Sequence, residues 1–254
     1  MLNIWRSPYL FSTAVSQTTL NLVAVTIFAL VMSTLLGPLL HIPEYVPAIA
    51  AFGILGVATL DTLNWQGRAG TLLLDWLASF SPAHRARVTR HEAGHFLTAH
   101  LLEIPVTGYT LSAWEAFRQG QPGQGGVSFG SAELETALEQ GTISAQLVDR
   151  FCTVLMAGTM AESLVYGDVQ GGADDRQKLR LLWAQMRRPP AEGEMKERWS
   201  KLRAKTLLES NWDAYEALVV AMEMGLSVEG CCTLIDQHQI IESSEINETL
   251  EASS

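Results

Sequence analysis

The sequence predicts a mainly α-helical protein: an N-terminal transmembrane hairpin, then a mostly helical extramembrane domain with one small β-hairpin. Three observations carry that expectation. No Asp, Glu, Lys or Arg occurs from Ser7 to Pro43. Ser81-Pro82 opens a long helical pattern that contains His91-Glu92-Ala93-Gly94-His95. Two strand-like runs, 106–112 and 126–130, precede sequence that reads as helical nearly to the end.

The N-terminal element comes first. Leu20 to Leu40 is almost unbroken aliphatic sequence, and at ~1.5 Å per residue it matches a hydrocarbon core of roughly 30 Å. A polar break from His41 to Glu44 leads to a second apolar run that ends at Asp61. Helices are expected at about 19–40 and 45–63, with residues 1–64 as a membrane anchor in the lipid bilayer. A cleaved signal peptide would be shorter and more basic at its start, and a transit peptide richer in Arg and Ser. Arg6 flanks the first run, and Arg68, Arg85, Arg87 and Arg90 follow the second. The positive-inside rule then puts both termini and the following domain on the cytosolic or stromal side. Residues 65–80, which include Trp65 and the apolar spacing Leu72, Leu73, Trp76, Leu77 and Phe80, are expected to form an interfacial linker helix.

Composition narrows the function. The chain carries 17 Lys/Arg against 27 Asp/Glu, a net charge of −10, with no basic stripe, which argues against nucleic acid as a partner. Its three cysteines form no paired framework and read as small hydrophobes. The glycine-rich stretch between the two strand-like runs lacks the Lys-Ser/Thr of a phosphate loop, so no nucleotide site is visible.

The helix opened by Ser81-Pro82 has a capping hydroxyl followed by proline at its first position, and it should run to about Leu102. Residues i and i+4 share a helix face, so His91 and His95 project side by side and can bind one Zn²⁺ through neutral ring nitrogens. Glu92 stands where a carboxylate can take a proton from a metal-bound water. Three arginines in the preceding turns exclude this helix from a bilayer. His84 lies a rise of ~10 Å from His91, and His100 lies ~140° around the axis from His95, so neither can share the ion.

Three acids further along offer a third ligand. Glu162 follows a small-residue stretch on the long helix expected over 144–166, where Asp149, Arg150 and Glu162 speak against a third membrane span. Asp174 and Asp175 open the next helix, where carboxylates also suit the dipole. A helical pair follows over 195–224, broken near Asn211. A short helix over 227–238 comes next, and an acidic tail, 242–254, is expected to be disordered.

HEAGH, then MAGTMAESLVYGD, then GGADDRQKL, in a helical C-terminal half, resembles the peptidase domain of FtsH-type membrane proteases (peptidase family M41). The resemblance covers roughly residues 80–240. It implies a zincin-like metallopeptidase domain over 81–241, a protein or peptide substrate, and either homo-oligomers or an FtsH-type ATPase complex. It also implies Asp175 as third zinc ligand and Glu162 as a residue supporting the ligands. The loop before the aspartates is one residue shorter than the family's, which keeps Asp174 as an alternate, with Glu162 the other. Ser163 stands where the family has a second glutamate. The short stretch from Asp61 to Ser81 leaves no room for the family's ATPase module.

The expectation is therefore a membrane-anchored zinc metalloendopeptidase without its own ATPase, with His91, His95 and Asp175 on the metal and Glu92 as general base. A catalytically silent FtsH-like scaffold is the alternative, although a scaffold has no need of Glu92. An intramembrane protease would need the motif inside an apolar span, and the arginines speak against it.

Overall fold

A computed structural model describes residues 17–37, 39, 41, 43, 45–64, 81–111 and 126–252. The interfacial linker at 65–80, Arg6, Arg68 and the glycine-rich loop after β1 lie outside the described residues. The elements are α1 (Gln17–Leu36), α2 (Tyr45–Asn64), α3 (Pro82–Leu101), β1 (Val106–Thr110), β2 (Gly126–Phe129), α4 (Ala132–Gln140), α5 (Ala145–Tyr166), α6 (Ala173–Gln185), α7 (Pro190–Ser210), α8 (Trp212–Glu223) and α9 (Val228–Ala252).

The membrane expectation is corrected. Among the described residues, no helix is long and apolar enough to cross a membrane. Both helices have polar ends, Gln17, Thr18 and Thr19 in α1 and Asp61, Thr62 and Asn64 in α2, so the apolar part of each is shorter than the helix itself. The two-span anchor, and the topology and localisation derived from it, are not retained.

α3 starts where capping chemistry directs. Ser81 Oγ accepts the His84 N–H at 3.4 Å, and Pro82 occupies the first turn. At its other end, Arg150 of α5 donates to the free carbonyls of Leu102 and Glu103 at 2.6 and 2.5 Å. That pairing explains why a charged residue sits on the apolar α5. Asp149, its neighbour, pairs with Lys196 of α7. Ser144 Oγ caps α5 by accepting the Leu147 N–H at 3.1 Å.

α3 packs along α5 where small residues let the backbones approach. A Cβ on Gly94 would lie 2.7 Å from Ala161 Cβ and 2.9 Å from the Ala157 carbonyl. Both helices feed two apolar clusters. One gathers Ala99, Ile104, Leu134, Phe151, Leu155 and Leu182. The other gathers Phe96, Leu97, Leu208, Tyr215, Leu218 and Ile235. β1 and β2 pair antiparallel, Val106 opposite Phe129 and Tyr109 opposite Val127, with a register irregularity between Val106 and Gly108.

The break expected near Asn211 falls between α7 and α8. α9 runs from Val228 to Ala252 and so takes in residues 242–252. Helix formers such as Glu, Leu and Ala populate it, and neither glycine nor proline stops it.

Candidate metal centre

His91 and His95 project from the buried face of α3 with their Nε2 atoms 3.0 Å apart. α6 delivers the third group: Asp175 Oδ2 lies 3.2 Å from His91 Nε2 and 3.3 Å from His95 Nε2. All three residues are buried, and they form one group able to hold a metal ion. Bonds of ~2.0–2.2 Å in a tetrahedral shell set donor atoms ~3.3–3.6 Å apart. The three observed separations lie close to that, so the donor set fits a small divalent cation.

The site is kept open by a missing side chain. A Cβ on Gly158 of α5 would strike His91 Nε2 and lie 2.5 Å from His95 Nε2. Gly172, at the start of α6, has φ +76, a left-handed conformation that glycine tolerates, and a Cβ there would strike Thr159 Oγ1. This turn swings α6 into place so that Asp175 faces inward while Asp174 stays exposed.

Each imidazole is fixed through its second nitrogen. His95 Nδ1 lies 2.7 Å from the Val154 carbonyl, so it carries the proton and leaves Nε2 free to coordinate. His91 Nδ1 lies 2.7 Å from Glu162 Oε1. Glu162 in turn accepts from Arg87 at 3.0 Å, from Gln170 N–H at 2.9 Å and from Gly171 N–H at 3.1 Å. Arg87 also holds Asp168 at 2.9 Å and lies 4.1 Å over the Tyr166 ring.

These contacts set the charges. Burial opposes a charged Glu162, but His91, the Gln170 amide and Arg87 outweigh it and hold the carboxyl down at about 2. Burial likewise opposes a charged His91, yet Asp175 and Glu162 raise it to about 10. Asp175 stays well below the ordinary carboxylate range despite its burial, because His95, Lys178 and His91 favour its charged form. A cation and a proton compete for the same Nε2 lone pair, so metal binding displaces the His91 proton.

Glu92, half-buried beside this group, is held by β2: its Oε2 accepts the Val127 N–H at 2.8 Å. Lys178 lies 3.5 Å from Asp175 Oδ1, the oxygen turned away from the histidines.

The structure therefore brings His91, His95 and Asp175 together with Glu92 alongside. Asp174 stays outside, and Glu162 stands behind His91 rather than among the three donors. His84 does not join the group, and His100 pairs instead with Asp236 at 2.7 Å. Sequence reasoning missed Val154, Gly158, Arg87 and Lys178. Gly158 lies in the small-residue stretch before Glu162, which was the only signal available for it.

Fold and site together define a mainly helical protein with a buried two-histidine, one-aspartate group that can hold a metal ion. No family model, curated protein or solved structure matches the chain.

Proposed function

We propose that this protein is a zinc-dependent peptide hydrolase whose metal is held by His91, His95 and Asp175 and whose general base is Glu92. One observation carries the reading: a three-donor group of tetrahedral dimensions, with the carboxylate of Glu92, next to His91 in sequence and close enough to favour its charged form, fixed in place by a backbone amide. Two imidazoles and one carboxylate make a borderline donor set suited to Zn²⁺, and three protein ligands leave a coordination position for water. The resemblance of HEAGH and GGADDRQKL to FtsH-type proteases supports the same reading.

When bound, zinc supplies Lewis acidity, polarising a carbonyl and bringing the pKa of its water to ~7. The chain's own residues do the rest. Glu92 takes a proton from the attacking water and passes it to the leaving amine nitrogen, so it ends the cycle as it began. Glu162 and the Val154 carbonyl hold the two rings in the orientation that presents Nε2. His91, the Gln170 amide and Arg87 together keep Glu162 ionised, and Lys178 offsets the negative charge of Asp175 and Glu92.

The test is Glu92→Gln, which keeps an oxygen to accept the Val127 amide. The variant should retain zinc and lose about a hundredfold or more in hydrolysis of an unstructured protein such as casein. Zinc-loaded wild type that cleaves no peptide, or a Glu92→Gln variant as active as wild type, would show the protein to be something other than a peptidase.

A further inference from the structure

We propose that the outer face of α7 is the contact surface of a symmetric dimer of this chain. α7 carries two apolar faces where a surface helix needs one. Its inner face, with Gly193, Ser200, Ala204 and Leu208 buried, packs into the protein. Its outer face carries Met195, Trp199 and Leu202 at i, i+4 and i+7, exposed at 51%, 64% and 56%. With Arg198 they line a shallow groove of ≈ 240 Å³. Scattered exposed hydrophobics are ordinary, but a contiguous stripe centred on a tryptophan is the composition of an interface centre.

Charge identifies the occupant. Glu192 and Glu194 lie in the first turns of α7, and Arg203 and Lys205 lie past the stripe. A second α7 laid antiparallel, with the two-fold passing near Trp199, sets Met195 of one copy on Leu202 of the other. Glu194 then faces Lys205 across the contact, and Glu192 faces Arg203; within one chain Lys205 pairs with Glu209 at 3.6 Å and Glu192 with Arg188 at 3.4 Å, exposed i,i+4 pairs weak enough to exchange for the contacts across the two-fold. Parallel pairing would set like charge on like. Arg198 of one copy reaches Trp199 of the other, where a guanidinium stacks well on an indole. The contact is isologous, so it closes at two copies. It is independent of the peptidase reading.

Sedimentation velocity of the full chain over a concentration series tests this. Wild type should dimerise, and Trp199→Glu should weaken the dimer by about a hundredfold, as loss of a central aromatic does. Glu194→Lys and Lys205→Glu should each weaken it by about tenfold, and the double swap should restore it to within about threefold of wild type. Circular dichroism and metal content identical to wild type would show that the variants are folded. Three results overturn the proposal: wild type monomeric throughout, an assembly that Trp199→Glu leaves intact, or a double swap no better than the single changes.

Discussion

The two imidazoles of the centre are held by opposite kinds of structure. His95 rests on a neutral backbone carbonyl inside α5, with Phe129 of β2 at its edge at 6.4 Å. His91 rests on a charged chain, Glu162 to Arg87 to Asp168, that is completed by backbone amides of the loop between α5 and α6. The first support is as rigid as the helix that contains it, and no side-chain substitution removes it. The second depends on ionisation and on the loop after Tyr166, so it answers to mutation and to pH. One helix face thus carries a ligand fixed by architecture beside a ligand fixed by electrostatics.

Changes at the donors should override this difference. His91→Ala and His95→Ala should each lose most of the bound metal, measured by elemental analysis of the dialysed protein, because three ligands become two. Gly158→Ala should come next, since its methyl group meets both rings. A cost of about 1–3 kcal/mol in denaturant unfolding, with metal loss, is the expected outcome of such overpacking.

Glu162→Gln should separate the two arms. Removing a carboxylate behind a ligating histidine typically weakens metal binding by about 10–100-fold, and competition with a chromogenic chelator would measure it. The same variant carries a pH signature. The Glu162 carboxyl is lowered from 4.5 to about 2 in the folded chain, so its stabilisation is present above 4.5 and lost as pH falls toward 2. With chelator present, wild type at pH 6 should exceed Glu162→Gln by roughly 2–3 kcal/mol, and the gap should close toward pH 2. A constant gap across that range would remove the charge from the account of the His91 arm.

The smallest effects belong to the remaining histidines of α3. His100→Ala should cost no more than about 1 kcal/mol through its exposed pair with Asp236. Neither His100→Ala nor His84→Ala should change metal content.

Much of the centre was legible in the sequence because helical periodicity is a local property. His91, Glu92 and His95 follow from spacing alone, and the Ser81 cap fixes where their helix starts. Asp175 was not legible in that way. Spacing left Asp174, Asp175 and Glu162 open, and only the left-handed turn at Gly172 decides which carboxylate faces inward. The support behind His95 is a backbone atom, which no residue type announces. The need for a bare α-carbon at Gly158 depends on how α3 lies against α5. Hydropathy over residues 20–40 suggested membrane spans that the described residues do not support.

The most direct test is zinc stoichiometry by elemental analysis of wild type, Asp175→Asn and Asp174→Asn, each dialysed against a weak chelator. Near-equimolar zinc is the expected result for wild type and Asp174→Asn, with most of it lost from Asp175→Asn, since an amide supplies neither the charge nor the basicity of the carboxylate. Equal zinc in all three proteins, or its loss from Asp174→Asn instead, would contradict the centre assigned to His91, His95 and Asp175.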